Sequence, residues 1–252
     1  MRAIKHTQLL LLLSVSACLA VPASGWPLPQ TGKTTQNPLG ASAKPTGEIS
    51  ALEAGWHAYK EGRIDQAIIF YQQAASSSPK DASLWYDLGC LFALHQEPEK
   101  AQEALKQAIA LNASFAEAHD ALGQLDEQAG NFDQAKIFYL QAQKLKPASP
   151  AILKHLARLA IRSSDEDAAK NWAVAWVAIE PNNPDARYQL GSLYLRAKHP
   201  DLAIIELERA VKEDPNHVLA WNGLGLSYSR IGRVEQSAEA FEKAKQLQPE
   251  KK

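Results

Sequence analysis

The sequence predicts an all-α solenoid of six stacked helix-turn-helix units, and three ladders of equal pitch carry that prediction. Pro79, Ala113, Pro147, Pro181, Pro215 and Pro249 stand 34 residues apart. Ala67, Ala101, Ala135, Ala169, Ala203 and Ser237 keep the same interval, as do Gly55, Gly89, Gly123, Ala157, Gly191 and Gly225. Such self-similarity marks units that bury a core only against their neighbours, so function belongs on an extended surface and not in a catalytic pocket. The array is read as 48–251, in units 48–81, 82–115, 116–149, 150–183, 184–217 and 218–251.

Residues 1–23 read as a signal peptide, with Arg2 and Lys5 ahead of the apolar run Leu9 to Leu13 and a small-residue exit. The apolar stretch is shorter than the roughly 20 residues a membrane-spanning helix needs. Two cleavage readings compete. Val15-Ser16-Ala17-Cys18 resembles a bacterial lipobox, which would make Cys18 a lipidation site; the other reading is ordinary cleavage near Ala23 or Gly25. Leu28-Pro29-Gln30-Thr31-Gly32 matches a sortase signal but stands ahead of the repeats, the wrong place for one. Residues 24–47, rich in Pro, Gly and Ser, cannot bury a core and read as a flexible tether spanning ~25–30 Å.

Within a unit the apolar spacing is helical twice. Trp85, Leu88, Gly89 and Phe92 form one face of a first helix, and Ala101, Leu105 and Ala108 one face of a second. Small residues allow close approach and large ones fill the gaps between. Gly62, Gly130 and Gly232 follow the first helix, where a left-handed cap suits glycine. The acids Asp65, Glu99, Asp133, Asp167, Asp201 and Glu235 open the second, facing the positive end of its dipole. Pro98 and Pro200 precede their acids, while Ser149-Pro150 and Asn183-Pro184 read as a cap followed by a helix-opening proline.

These residues, with Trp221, Leu224, Gly225, Tyr228, Phe241, Ala244 and Pro249, resemble tetratricopeptide repeats (TPR) over all six units. The resemblance implies a right-handed superhelix whose first helices line a concave groove that binds proteins or peptides. The fourth unit departs from the pattern, with Ala157 for Gly, Ala173 for a large residue and Trp176 for Ala, and is read as repacked and not lost. Asp126, where Phe92, Tyr194 and Tyr228 stand in other units, suggests a loosened third unit.

First-helix residues out of phase with the buried stripe are assigned to the groove. They are Ile49, Leu52, Trp56, Tyr59 and Lys60; Tyr86, Cys90, Ala93 and Leu94; and Glu117, Asp120, Gln124 and Glu127 in the first three units. Lys154, Arg158 and Arg162, then Tyr188, Leu195 and Arg196, then Asn222 and Arg230 follow in the last three. The expected ligand is a partner segment with aromatic anchors at Trp56, Tyr59 and Tyr86 and acidic groups near Lys154, Arg158 and the row Arg162, Arg196 and Arg230. The competing account of that row is satisfaction of helix C-termini. The Lys and Asn set with which chaperone-binding TPR domains clamp a carboxylate is not presented by three consecutive units.

A net charge of -1 argues against nucleic-acid binding, and against a membrane role other than through a lipid anchor. No His/Cys cluster or catalytic motif stands among the seven histidines and two cysteines, so no enzyme activity, metal or cofactor is expected. Phe241 and Leu247 leave the last helix incompletely polar, giving either a monomer or a homodimer through that end. The functional expectation is an exported adaptor, periplasmic or secreted or lipid-anchored to the outer membrane. The alternative is an accessory regulator presenting substrates to an envelope hydrolase or protease.

Overall fold

The computed structural model describes residues 50–248; the signal peptide at 1–23, Cys18, the tether at 24–47, Ile49 and Pro249 lie outside the described residues. Among these residues there are twelve helices and no strand, in hairpins at the expected period. They are α1 (Ala51–Lys60) with α2 (Ile64–Ser77), α3 (Ala82–Leu94) with α4 (Pro98–Leu111), and α5 (Ala116–Gln128) with α6 (Phe132–Leu145). Then come α7 (Pro150–Arg162) with α8 (Glu166–Ile179), α9 (Pro184–Arg196) with α10 (Pro200–Glu213), and α11 (Val218–Arg230) with α12 (Val234–Gln246). The chain forms two compact units, the first ending at Leu145 and the second beginning at Lys146. Within each, the second helix of one hairpin packs on the first of the next: α2 on α3 and α4 on α5, then α8 on α9 and α10 on α11.

The glycine ladder is a steric requirement. A Cβ on Gly89 would lie 2.6 Å from Leu105 Cγ, and one on Gly191 2.7 Å from Leu207 Cγ, so each first helix accepts a large side chain from its own second helix only where no Cβ stands. In the fourth hairpin Ala157 and Ala173 hold these two places and both are fully buried. Loss of the large side chain admits the methyl. Trp176 is buried nearby, its indole N–H donating to Glu180 Oε2 at 2.8 Å, and α7 and α8 are as long as α9 and α10.

The proline ladder marks a carbonyl that the next hairpin uses. Trp85 Nε1–H donates to the Pro79 carbonyl at 2.9 Å, and Trp221 Nε1–H to that of Pro215 at 2.9 Å. At the same place His119 Nε2 stands 3.2 Å from the Ala113 carbonyl, and Arg187 Nε–H donates to that of Pro181 at 2.8 Å. Four hairpins thus tie their first helix to the preceding turn through three residue types. Leu153, at this place in the fourth, has no side-chain N–H to give.

Every first helix ends in one motif. Residues 62, 96, 130, 164, 198 and 232 all have positive φ, and the residue after each donates its N–H five residues back, as Arg63 does to Ala58 at 2.9 Å and Glu97 to Phe92 at 2.9 Å. Glycine was expected at three of these places. The other three, Gln96, Ser164 and Lys198, adopt the same left-handed conformation at φ 62°, 59° and 62°. The acid row stands in the first turn of each second helix, and Asn183 caps α9 by accepting from Ala186 N–H at 3.1 Å. Ser149 holds the cap position of α7 without a side-chain bond.

The third hairpin is not loosened. From Ala118 to Glu127 every residue of α5 is buried, Asn131 Nδ2–H reaches Asp126 Oδ1 at 3.4 Å across the turn, and Tyr139 O–H donates to Glu127 Oε2 at 2.9 Å. The acid that replaces an aromatic at 126 serves the turn instead of the core.

Candidate functional site

In the first unit the aromatic anchors separate into two kinds. Trp56 and Tyr59 are half-buried and stacked, ring centroids 5.6 Å apart, with Tyr59 packed on the core. Tyr86 stands at the position equivalent to Lys154 and Tyr188 but is not exposed. It is fully buried, its ring 5.0 Å from that of Phe115, and burial followed by the neighbouring Cys90 pushes its hydroxyl far above the usual phenol range. Cys90 is equally buried, and burial followed by Asp87 drives its thiol far up. Asp120, Gln124 and Glu127, also assigned to the groove, are buried too, with Gln124 Nε2–H donating to Asp120 Oδ2 at 3.0 Å. Contact between successive first helices does not by itself close this face, since α9 and α11 touch as well and the same positions on them are not buried.

The second unit is different. Equivalent positions on α7, α9 and α11 form a grid whose successive rows are Ala151, Asp185 and Leu219; Lys154, Tyr188 and Asn222; Arg158, Ser192 and Leu226; and Arg162, Arg196 and Arg230. None of these twelve residues is buried. Tyr188 is half-covered by the His217 ring at 5.0 Å, and burial raises its hydroxyl pKa. His217 Nδ1 accepts the Ala220 N–H at 3.1 Å, which puts the ring proton on Nε2, 3.3 Å from Asp185 Oδ1.

Arg162, Arg196 and Arg230 are exposed at equivalent helix ends and are engaged within the chain. Arg230 Nη1–H donates to the Leu195 carbonyl in the last turn of α9 at 2.5 Å, and Arg196 Nη2 stands 3.5 Å from Glu166 Oε1 at the start of α8. Both reach back to the preceding hairpin. Arg230 therefore satisfies a helix C-terminus, though not that of its own helix. Lys154 lies over the Trp176 ring at 5.8 Å, and Arg158 and Arg162 also have partners while remaining exposed. Leu219 and Leu226, 56% and 50% exposed, stand at positions equivalent to Asp185 and Ser192, and sequence reasoning did not assign them to the groove.

Tetratricopeptide repeat family models match residues 58–125, 116–149, 155–216 and 188–251. The chain belongs to the tetratricopeptide repeat family. Among curated relatives, Superkiller protein 3 of Schizosaccharomyces pombe is 23% identical over 75% of this chain, and the PEX5-related protein of Mus musculus 27% over 74%. The chain spans 12% and 35% of their respective lengths. Among solved structures, pilF of Pseudomonas aeruginosa superposes with a TM-score of 0.70 at 16% identity, covering 80% of this chain and 91% of that one. YrrB, described as a TPR protein with an unusual peptide-binding site, gives 0.62 at 21%, covering 71% and 93%. At these identities the likeness shows the fold alone.

The tetratricopeptide fold is a protein-interaction scaffold, and its charge here is arranged by helix. Across α7, α9 and α11 the cations are Lys154, Arg158, Arg162, Arg187, Arg196 and Arg230, against the single acid Asp185. Arg187 is spoken for, paired with Glu206 at 2.5 Å with both side chains nearly buried. A separate cleft of about 540 Å³ between α10, α11 and α12 has Trp221 and Tyr228 in its wall and Glu208, Lys212, Glu239 and Lys243 among its lining residues. Tyr228 O–H donates to Glu208 Oε1 at 2.5 Å, and burial with that bond pushes its pKa up to about 12. No cluster that could hold a metal ion stands among the described residues, and no described helix is long and apolar enough to cross a membrane.

Proposed function

We propose that this protein is an exported adaptor that holds other proteins through the inner face of its second unit. The observation that carries the reading is the grid on α7, α9 and α11: twelve equivalent positions, none buried, offering cations and leucines where their counterparts Tyr86, Cys90, Asp120 and Gln124 in the first unit are buried. The fold supports an interaction role. The basic and apolar start of the chain supports export, with the mature protein either free in the periplasm or medium or held on a membrane through Cys18.

A photo-reactive residue at Ser192, compared with one at the outer residue Ile205, tests the adaptor reading. Cross-links to a defined partner from Ser192 and not from Ile205 are expected; equal labelling from both removes the inner face from consideration. If that partner is an enzyme whose rate changes on addition of the purified chain, the regulator role replaces the simple adaptor. Intact mass of the mature N-terminus decides the anchor, since a chain beginning beyond Cys18 without acyl groups excludes lipidation.

A further inference from the structure

The cleft between α10, α11 and α12 shares no residue with the grid and has a chemistry of its own. Trp221, Leu224 and Tyr228 follow one another along one face of α11, and Val211 of α10 and Ala240 of α12 complete an apolar floor. Charge stands around that floor in order. Glu208 precedes Lys212 on α10 and Glu239 precedes Lys243 on α12, each acid about 6 Å from its base along the helix axis. As second helices of successive hairpins, α10 and α12 run in the same sense, so both acids stand towards Tyr228 and both lysines towards Trp221. Tyr228 O–H accordingly donates to Glu208, and Trp221 Nε1–H to the Pro215 carbonyl beyond the end of α10. An acid and a base one turn apart commonly pair, yet neither pair closes here: Lys212, Glu239 and Lys243 make no side-chain hydrogen bond or ion pair among the described residues.

The second hairpin builds the same floor and covers it. Trp85, Leu88, Phe92 and Ala104 stand where Trp221, Leu224, Tyr228 and Ala240 do, and Lys100 Nζ lies over the Phe92 ring, 5.6 Å from its centroid. Gln236 replaces that lysine in the sixth hairpin, which leaves the Tyr228 ring without a cation beside two carboxylates suited to hold one. Gln72, Ser76 and Gln107 stand in the second hairpin at the places of Glu208, Lys212 and Lys243, so its floor lacks the ordered charge.

We propose that this cleft binds a linear ω-amino acid, its ammonium over Tyr228 beside Glu208 and Glu239, its aliphatic stem along Leu224 and Trp221, and its carboxylate at Lys212 and Lys243. The site is independent of the inner face and adds a small ligand to a protein-binding scaffold. Its volume of about 540 Å³ is in the range of small-molecule sites. The axial separation of acid from base selects for length: an extended stem of five methylenes, with C–C bonds of about 1.5 Å, spans it, and the single methylene of glycine does not. Burial of the stem on the apolar floor supplies the non-electrostatic part of the affinity.

Isothermal titration of the full chain with 6-aminohexanoate tests this directly. Saturable binding that weakens with added salt is expected, with hexylamine, hexanoate and glycine each at least tenfold weaker. Gln236→Lys places the chain's own cation over Tyr228, as Lys100 lies over Phe92, and should weaken binding at least tenfold without removing a charged group. Lys212→Gln/Lys243→Gln, with its fold checked by circular dichroism, should bring 6-aminohexanoate down to the level of hexylamine. A protein ending in lysine carries the same two charges, so a peptide with a C-terminal lysine forms a second arm, and the tighter of the two ligands names the source. Absence of saturable binding by both, equal binding of hexylamine, or binding unchanged by Gln236→Lys overturns the proposal. Cross-linking from Ser192 reads the inner face separately, so the adaptor reading stands or falls on its own.

Discussion

The ring of Tyr139 occupies the space that a side chain on Gly123 would need: a Cβ there would lie 2.6 Å from both Cδ1 and Cε1. The ring is not free to swing aside, because its hydroxyl donates to Glu127 Oε2 at 2.9 Å. Gly123→Ala therefore sets an overpacking cost of about 1–3 kcal/mol against a helix-propensity gain of about 1 kcal/mol. Net destabilisation is expected in urea titration. Ala157→Gly should behave as an ordinary glycine in a helix and lose about 1 kcal/mol, because Ala173 leaves room for the methyl that is removed.

Gln96, Ser164 and Lys198 hold the left-handed position that glycine fills at 62, 130 and 232. An L-residue there costs about 1–2 kcal/mol, partly offset by the extra freedom glycine has in the unfolded chain. Lys198→Gly should stabilise by about 0.5–1 kcal/mol, raising Tm by roughly 2–4 °C per kcal/mol gained. The triple glycine variant should show the sum, since the three turns are far apart in sequence and share no partner. A fall in Tm would show that these side chains do more than tolerate their backbone.

The bond from Arg230 to the Leu195 carbonyl and the looser pair of Arg196 with Glu166 predict different outcomes for two residues of one row. Arg230→Met should cost about 1 kcal/mol, the net worth of one hydrogen bond, since the Leu195 carbonyl keeps the Lys198 N–H at 3.2 Å. Arg196→Met should cost less than about 0.5 kcal/mol, as exposed pairs do. Denaturation midpoints check the pair. Arg230 also marks how far sequence alone can go: its register in the row was legible, but its acceptor on the neighbouring hairpin was not.

The ladders were legible because each states a requirement repeated in most or all hairpins: no Cβ beside Leu105, a turn before Trp85, an acid at a helix start. The left-handed residues at 96, 164 and 198 were not, because the end of the helix imposes that conformation whatever side chain stands there. Tyr86 and Cys90 were misplaced for another reason. Period identifies the face they share, but not whether it is open: the same positions are buried on α3 and not on α7, α9 and α11, a tertiary difference that no single helix encodes. Leu219 and Leu226 went unnoticed because an exposed leucine has no local signature.

Burial of Cys90, reinforced by Asp87, holds its thiol protonated across the ordinary pH range. Thiolate is the reactive form, so alkylation by iodoacetamide at pH 8 should be slow in the folded chain and fast in urea. Peptide mass mapping at Cys90 measures this apart from Cys18. Rapid native labelling would mean that α3 opens on the timescale of the reaction.

Arg187 and Glu206 stand where the second hairpin has Trp85 and Ala104 and the sixth has Trp221 and Ala240. The ion pair is nearly buried at 2.5 Å, and Arg187 Nε–H also reaches the Pro181 carbonyl, the bond that both tryptophans make from their indoles. Removing one partner strands the other charge: Arg187→Trp or Glu206→Ala alone should cost roughly 3 kcal/mol. Arg187→Trp with Glu206→Ala recreates a solution found twice in this chain, keeps the carbonyl bond and removes both charges. Its stability should lie within about 1 kcal/mol of the parent, a coupling of several kcal/mol in the double-mutant cycle. Additive losses would show instead that the pair is tied to Arg209, which stands 4.0 Å from Glu206 Oε1, or to groups beyond it.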